Sequence, residues 1–368
     1  MLGLLLALQT ASACGPDALC RLLEAATRAN QAAMLAPSGY SATIETETSS
    51  IGRREGRIEG ATTIEQTSSL ARWSSNGGFE QHVVGSRSFP NAIPLSRLAF
   101  LRIGWVVPTL AAERLQVITR TGPRDAEFSE TLVGPMAPES VVHPLASDRD
   151  RYYTYSGGAP VTRMIDGVER SVVAVEVIPV AALPREETLF EGEMDLDPAS
   201  NAVVRLIGRI KVIGRVKHGF MNLGEMFEPT VTLVDLVNQR VPGGEWIPAV
   251  QRFEIQAASS RTSGFGAARR VISRFQAVAP LTRGTEPVAI AASTVGYLLS
   301  SAPGDSLRGF QGWYAPAGRA TEAVSQADFS RFRPDRMQPE GPPSLVMQGY
   351  SSGDFLRINR IEGLYTGI

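Results

Sequence analysis

The side chains that could do acid–base or metal chemistry in this sequence are three histidines and two pairs of aspartates. The histidines are His82, His143 and His218. They are far apart along the chain, and none has a second histidine within the next few residues, so the spacing of a metal-binding motif is missing. One hypothesis that uses such residues is a secreted hydrolase built from dispersed Asp, His and Ser side chains, with His143 near Asp148 or Asp150 at its centre.

The aspartate pairs are Asp148 with Asp150 and Asp195 with Asp197. Side chains at i and i+2 of a strand point to the same face, so each pair could supply two carboxylates for acid–base catalysis or for calcium binding. The more common role is turn formation, and Asp197-Pro198 has the composition of a turn. We therefore predict that the protein is not an enzyme and has no catalytic residue, metal site or cofactor.

Composition narrows the class of protein. The chain has 368 residues, which predicts one to three domains, and its net charge of −1 gives no electrostatic reason to expect a nucleic-acid partner. Hydrophobic residues make up 43% of the chain, which is enough for a sizeable core. The 35 glycines and 24 prolines are typical of a β protein rich in turns.

The N-terminus predicts secretion. Residues 1–8 are almost wholly apolar, and Ala11-Ser12-Ala13 has the small residues of a cleavage site, so residues 1–13 are predicted to be a signal peptide. The predicted location is the periplasm or outer membrane of a Gram-negative-type bacterium. Cys14 and Cys20 could then pair in an oxidising compartment. The alternatives are a lipidated Cys14 with a free Cys20, or neither modification.

Hydrophobic periodicity predicts a mainly β (α+β) fold. Residues 17–35 have the apolar stripe of an amphipathic helix, and from Tyr40 the period changes to two. A first set of antiparallel strands is predicted over 40–88, and a second, the centre of the fold, over 187–278. We expect an antiparallel curved sheet, or half-barrel, with the N-terminal helix packed on it and a domain that spans 14–280.

Residues 94–146 break the alternation. Short helices are predicted over 95–103 and 109–118, each after a proline, and we expect them to cover the concave face of the sheet. That face could hold an acyl chain or a peptide, or it could be an ordinary sealed core. The residues predicted to line it are Trp105, Val107, Leu110, Leu115, Phe190 and Trp246.

Several short motifs, taken in order, resemble a known family. They are His143-Pro-Leu145, Tyr152-Tyr-Thr-Tyr155, Asp166-Gly167, Val175-Glu-Val-Ile-Pro179, Phe190-Glu-Gly-Glu-Met-Asp-Leu-Asp197 and Glu245-Trp-Ile-Pro248. The chain is similar here to the periplasmic portion of uncharacterised bacterial outer-membrane β-barrel proteins, some of which carry a carboxypeptidase-regulatory-like module. The segment Phe190–Ile210 also resembles part of the half-barrel of periplasmic lipoprotein carriers. The resemblance implies a location at the outer membrane.

The C-terminal region divides into two predicted segments. Residues 281–353 are rich in Pro and Gly and are predicted to be a linker or an extended C-terminal arm. Residues 354–368 resemble the entry into the first strand of such a barrel, which would make the chain a fragment of a longer protein. The alternative is a strand that pairs back onto the half-barrel.

These observations support three hypotheses about function. The first is a non-enzymatic periplasmic domain of an outer-membrane β-barrel protein, with a binding or assembly role and the outer membrane as its partner. The second is a soluble periplasmic carrier that binds a lipoprotein, a lipid or an acyl chain. The third is the hydrolase with a dispersed site.

Overall fold

The computed structural model describes part of the chain. The described residues are 17–36, 39–54, 57–75, 78–89, 105–119, 131–132, 139–213, 231–256, 265–281 and 297–316. The described residues do not include the predicted signal peptide, Cys14, His218, the predicted helix at 95–103 or the predicted barrel strand at 354–368. The pairing of Cys14 with Cys20 therefore stays a prediction.

Strands dominate the described residues. The helices are α1 (Ala18–Leu35), the 3-10 helix η1 (Arg149–Arg151) and α2 (Gly304–Gly309). The strands are β1 (Gly39–Arg54), β2 (Arg57–Ser74), β3 (Gly78–Phe89), β4 (Trp105–Val106), β5 (Arg114–Thr119), β6 (Thr131–Leu132), β7 (Glu139–Val142), β8 (Tyr153–Ile165), β9 (Val168–Pro179), β10 (Glu187–Leu196), β11 (Val203–Ile213), β12 (Val231–Arg240), β13 (Trp246–Gln256), β14 (Phe265–Pro280) and β15 (Tyr297–Ser301). Within this part of the chain, every helix is too short or too polar to cross a membrane.

The strands form one curved, unclosed sheet, which confirms the predicted fold class. Its order is β4-β5-β7-β10-β11-β12-β13-β14-β1-β2-β3-β15-β6, and β9 also pairs with β10 and carries β8 with it as a hairpin. The sheet is mixed rather than purely antiparallel, because β7 runs parallel to β10 and β15 runs parallel to β3. Strands β10 to β13 lie within the second set of strands predicted over 187–278.

The helix predicted over 109–118 is wrong. Residues 109–113 form an irregular loop, and Arg114–Thr119 is strand β5, paired with β7. The reason is visible in the burial: Leu115 and Val117 are buried, whereas Arg114 and Gln116 between them are partly exposed, which is the period of a strand. The inner face of the sheet is covered here by a loop and by α1.

Two close-packed layers lie on the sheet. On the inner face, Phe190, Leu206 and Phe253 belong to one buried cluster with Leu23 and Ala26 of α1. Burial of a leucine side chain stabilises a fold by about 1.5 to 3 kcal/mol, so this contact fixes α1 against the strands. The N-terminus of α1 is capped by Asp17, whose carboxylate accepts a hydrogen bond from the Leu19 N–H at 2.9 Å.

The outer face is covered by the β8–β9 hairpin, and ion pairs connect the hairpin to the sheet. Asp166, at the tip of the hairpin, pairs with Arg252 and Arg274 at 3.3 and 3.1 Å. Asp235 is 1% exposed and pairs with Arg205 at 2.7 Å and with Arg252 at 3.0 Å. Arg252 pairs with both aspartates, so one guanidinium connects the tip of the hairpin to the buried charge of the sheet.

Residues 297–316 return to the sheet, so the predicted linker over 281–353 does not extend through them. β15 pairs with β3, and the segment 310–316, the strap, packs on β1 to β3. Glu45 accepts hydrogen bonds from the Tyr314 and Ala315 N–H groups at 2.7 and 3.2 Å, and the Arg87 guanidinium lies 4.1 Å from the centroid of the Trp313 ring. The Pro and Gly content predicted a linker here, whereas the contacts of the strap with Glu45 and Arg87 bind it to the sheet.

Candidate binding cleft

A cleft of about 240 Å³ separates α1 from the turns at one end of the curved sheet. One wall is α1, the opposite wall is formed by the β10–β11 and β12–β13 turns, and the floor is a loop that precedes β5. The lining residues are Ala26, Ala29, Asn30, Ala33, Ala36, Gly39, Tyr40, Trp73, Thr109, Leu110, Ala111, Leu145, Ser200, Asn201, Ala202, Val203, Asn238, Gly244, Glu245, Trp246 and Ile247. Most of them are apolar.

The helix wall is made of alanines. Ala26, Ala29, Ala33 and Ala36 follow one another at intervals of three and four residues, which places them along one side of α1. Their methyl side chains leave a gap between the helix and the turns that larger residues would fill. Ala26 is fully buried at the inner end, and Ala33 and Ala36 are exposed at the outer end.

The floor is held in place by three polar side chains. Gln251 donates to the Val107 carbonyl at 2.6 Å and accepts from the Val107 N–H at 2.9 Å, and so pairs with this residue as a neighbouring strand would. The Tyr40 hydroxyl donates to the Pro108 carbonyl at 2.9 Å. These contacts satisfy backbone groups that would otherwise be buried without partners.

The third polar side chain joins the floor to the helix. Asn30 of α1 accepts a hydrogen bond from the Ala112 N–H at 3.1 Å and donates to the carbonyls of Ala112 and Leu145 at 3.0 and 3.3 Å. One buried amide therefore fixes both chain segments relative to α1. The distance between the helix and the loop is set by this contact, and the cleft stays open beside it.

Aromatic rings line the cleft on the sheet side. Tyr40 is buried, and its ring lies 5.6 Å from the half-buried ring of Trp73. Burial raises the pKa of the Tyr40 hydroxyl far above its usual range, so this group stays a hydrogen-bond donor to the floor. The indole N–H of Trp246 donates to the Ser200 hydroxyl at 3.3 Å and thereby links the two turns of the opposite wall.

The six residues predicted to line a cavity fall into two groups. Leu110 and Trp246 line the cleft. Val107, Leu115 and Phe190 are between 0 and 3% exposed, belong with Leu110 to one buried cluster and do not line the cleft. Trp105 lies in β4, and its side chain is outside the described residues. The prediction thus contains both cleft residues and core residues of the same inner face.

Sequence analysis missed most of the cleft. The alanine spacing in α1 was visible, but small residues on a helix usually mark close packing against a neighbour. Tyr40 and Trp73 were assigned to the strands without a role. The buried amides of Asn30 and Gln251 could not be predicted, because the residues around each in the sequence are the same as those expected around an exposed amide.

His143 has the environment of a structural histidine. It is 0% exposed, and its Nδ1 accepts a hydrogen bond from the Leu145 N–H at 2.8 Å. Burial lowers the pKa of His143 to about 3, an effect that the Leu110 backbone only partly opposes. Asp148 and Asp150 instead contact Arg151 and Arg149, each at 3.6 Å. The described residues do not bring the predicted His–Asp pair into a solvent-accessible site.

The other predicted aspartate pair is divided between two roles. Asp195 is buried and contacts Arg163 at 3.3 Å, whereas Asp197 accepts from the N–H and the hydroxyl of Ser200 at 2.8 and 2.6 Å and so forms the β10–β11 turn. Across the part of the chain that the structure describes, no group of three or more His, Cys, Asp and Glu side chains is placed to hold a metal ion.

Two further features bear on the hydrolase hypothesis. His82 Nδ1 lies 2.7 Å from the Ser300 hydroxyl, across the parallel pair of β3 and β15, and neither residue lines the cleft. Residues Gly349-Tyr350-Ser351-Ser352-Gly353 match the G-x-S-x-G pattern of a nucleophile elbow. That pattern requires a strand–turn–helix context, and residues 349–353 lie outside the described part of the chain.

Similarity to known proteins is slight. No protein-family profile matches the sequence, and no curated protein matches it. A solved structure of a DUF1329 family protein from Desulfovibrio piger resembles the chain with 11% sequence identity and a TM-score of 0.24, over 71% of this chain and 92% of that one. A superposition this loose does not establish a shared fold or function.

Proposed function

We propose that this protein is a non-enzymatic binding protein of the cell envelope that takes an acyl chain into the cleft beside α1. The observation that carries the proposal is the cleft itself, which is lined by alanines of a helix and by the indoles of Trp73 and Trp246. A pocket with mainly apolar walls and a few polar groups is the usual form of a site for a small apolar ligand. The signal peptide predicted for residues 1–13 favours the periplasm as the location.

The size of the cleft sets the size of the ligand group. Its volume of about 240 Å³ exceeds the roughly 150 Å³ of a protein cavity that takes up benzene, and it is below the roughly 300 Å³ at which sites for whole drug-sized molecules begin. We infer that it accommodates part of one acyl chain, on the order of six methylene groups, and not a complete lipid.

The number of buried methylene groups sets the expected affinity. Each buried methylene contributes about 0.8 kcal/mol, so six contribute roughly 4 to 5 kcal/mol. This corresponds to a dissociation constant of about 0.2 to 1 mM for a short chain. Tighter binding of a natural ligand requires contacts from its head group or from a longer chain along the helix.

Of the first two hypotheses from the sequence, the carrier is the one that we propose. The cleft provides a site for cargo within the domain predicted to be periplasmic. A role in an outer-membrane β-barrel depends on residues 354–368, which lie outside the described residues. The two roles are compatible, since a domain attached to a barrel could bind the same ligand.

The proposal is tested with a variant whose larger side chain fills the outer end of the cleft. Ala33→Phe places a ring in the space between α1 and the turns, whereas Ala32→Phe places the same ring on the same exposed helix at a position that does not line the cleft. Octanol brominated at the far end of its chain serves as the ligand, and quenching of tryptophan fluorescence by the bromine reports insertion of that end beside Trp73, whose ring lies against the buried Tyr40.

We expect saturable quenching with a dissociation constant near 1 mM for the natural sequence and for Ala32→Phe. The Ala33→Phe protein should bind at least about tenfold more weakly, which corresponds to the loss of roughly two methylenes of burial. Equal affinity of all three proteins, or quenching that never saturates, would reject an acyl site in the cleft.

A further inference from the structure

We infer that the cleft selects acyl chains that carry a cationic head group, an ammonium in particular, over chains that end in a carboxylate. This inference rests on the proposed function, since it concerns the polar end of a chain held in the same cleft. Three features of the mouth of the cleft point the same way: one carboxylate, the C-terminal end of a helix, and the indole ring of Trp246.

The burial of the lining residues shows which end of the cleft meets water. Ala26, Tyr40 and Leu110 are at most 2% exposed and form the inner end. Ala33, on α1, and Ser200, on the opposite wall, are exposed and form the mouth. A chain therefore enters with its apolar end first, and its head group stays between the last turns of α1 and the two hairpin turns.

The mouth is negative. Among the described residues that line the cleft, the one charged side chain is Glu245, in the β12–β13 turn. It is exposed, and it lies next in sequence to Trp246. An ammonium at the mouth gains the attraction of this carboxylate, while a carboxylate head group meets a like charge and finds no lysine or arginine in this lining.

The end of α1 adds a second negative element. The helix ends at Leu35 with Ala36 as its C-cap, and its last turn contains no basic residue. The C-terminal end of a helix carries a partial negative charge, which lysine or arginine in the last turn commonly offsets. Here that charge is left for the ligand, because Ala33 and Ala36 of the same turn line the mouth.

The indole of Trp246 supplies the third element. Trp246 is half-buried, lines the cleft and is bonded to Ser200 at the mouth, so its ring borders the space that a head group would occupy. The face of an indole attracts an ammonium, and it does so more strongly than the other aromatic side chains. A carboxylate has no such attraction to the ring face.

One group acts in the opposite direction. The guanidinium of Arg240 comes within 3.8 Å of the position that a Cβ on Gly244 would occupy, from outside the lining. It reduces the negative potential at the mouth, so the selectivity should be moderate. From the charge of Glu245 and the helix end together, we expect a preference of about 5- to 20-fold at low salt.

The test compares three ligands with the same chain and different heads: octylammonium, octanol and octanoate, at neutral pH, low salt and concentrations below micelle formation. Calorimetric titration of the natural protein should give affinities in the order octylammonium, octanol, octanoate. The preference for octylammonium over octanoate should decrease by several-fold as salt is raised, because the mouth is exposed.

Charge variants test whether the preference for octylammonium arises at the mouth of the cleft. Glu245→Gln should reduce the preference for octylammonium by about three- to fivefold, and Glu245→Lys should bring the preference close to unity or reverse it. Glu169→Gln changes the net charge by the same amount at an exposed site on β9 that does not line the cleft, and it should leave the preference unchanged.

The outcomes separate the two proposals. If no ligand binds, the acyl site and its selectivity are both wrong. If all three ligands bind equally well, or if octanoate binds best, the acyl site stands and the inferred selectivity is wrong. If Glu169→Gln lowers the preference as much as Glu245→Gln, the effect belongs to the net charge of the protein and the assignment to the mouth is overturned.

Discussion

Gln251 offers a test of how the floor of the cleft is held. Its amide is 1% exposed and makes two hydrogen bonds to the backbone of Val107, one as donor and one as acceptor. Gln251→Met preserves the approximate volume and removes both bonds. Each buried backbone group left without a partner costs about 1 to 3 kcal/mol, so the two groups of Val107 together should lower the free energy of unfolding by about 2 to 6 kcal/mol at every pH.

Gln251→Glu gives the sharper result, because its effect should depend on pH. A protonated glutamic acid can donate its O–H to the Val107 carbonyl and accept from the Val107 N–H, which reproduces both bonds of the glutamine. An ionised carboxylate cannot donate, and burial disfavours its charge. The folded-state pKa of the new side chain should therefore be raised above its unfolded value, and stability should be greatest at low pH and decrease as pH rises.

The size of the effect is set by proton linkage. If the folded state keeps the proton at pH 7, its cost is about 1.36 kcal/mol for each pH unit above the ordinary glutamate pKa of about 4.3, or about 3.7 kcal/mol. At pH 5 the cost decreases to about 1 kcal/mol. Urea unfolding at pH 7, 6 and 5, with the natural protein measured at each pH, isolates this difference, since every other titrating group is common to both proteins.

Two results would refute this account of the floor. One is a Gln251→Glu protein whose deficit relative to the natural protein does not decrease as pH falls. The other is a Gln251→Met protein within about 0.5 kcal/mol of the natural one, which would mean that Val107 is not bound through this amide.

Two more predictions concern the core and the strap. Burial lowers the pKa of His143 from its ordinary 6.5 to about 3, so between pH 6.5 and 3 only the unfolded chain takes up a proton at this residue. The free energy of unfolding should therefore decrease by about 1.4 kcal/mol for each pH unit as the pH falls through this range. Urea unfolding should show this decrease in the natural protein and not in His143→Gln. A Cβ on Gly85 would overlap the Phe310 ring, so Gly85→Ala should destabilise the protein by about 1 to 3 kcal/mol. That cost should largely disappear in a Phe310→Ala background, and additive losses in the double mutant would show that the strap does not press on Gly85.

The strands could be predicted from the sequence because their signal is local. β11 and β13 alternate apolar and polar residues between clear turn residues, and Asp166-Gly167 forms the predicted hairpin turn with positive φ angles of 49° and 77°. β5 was missed because six residues are too few to separate a period of two from a period of 3.6. The return of the chain at β15 was missed because its partner, β3, lies far earlier in the sequence.

The cleft could be predicted only in part, for a physical reason. A cavity is a property of the volume left between elements, and sequence patterns report which side of an element is buried, not how closely it is packed. Phe190 and Leu110 have the same apolar signal and belong to the same buried cluster, yet only Leu110 also lines the cleft. Charged contacts such as Asp235 with Arg205 are also set by strand register, which the turns determine.

The arrangement of polar groups around the cleft explains how it can stay open in a folded protein. Protein interiors pack densely, and an apolar gap normally collapses unless its walls are held apart. Here Asn30 and Gln251 bind the floor through backbone groups, from the helix on one side and from the sheet on the other, and neither side chain occupies the gap. The alanines of α1 can then remain small without the helix moving inwards. A protein that needed only a stable core at this position would gain more from larger side chains on α1, so the combination of rigid supports and small walls favours a bound ligand as the element that completes the packing.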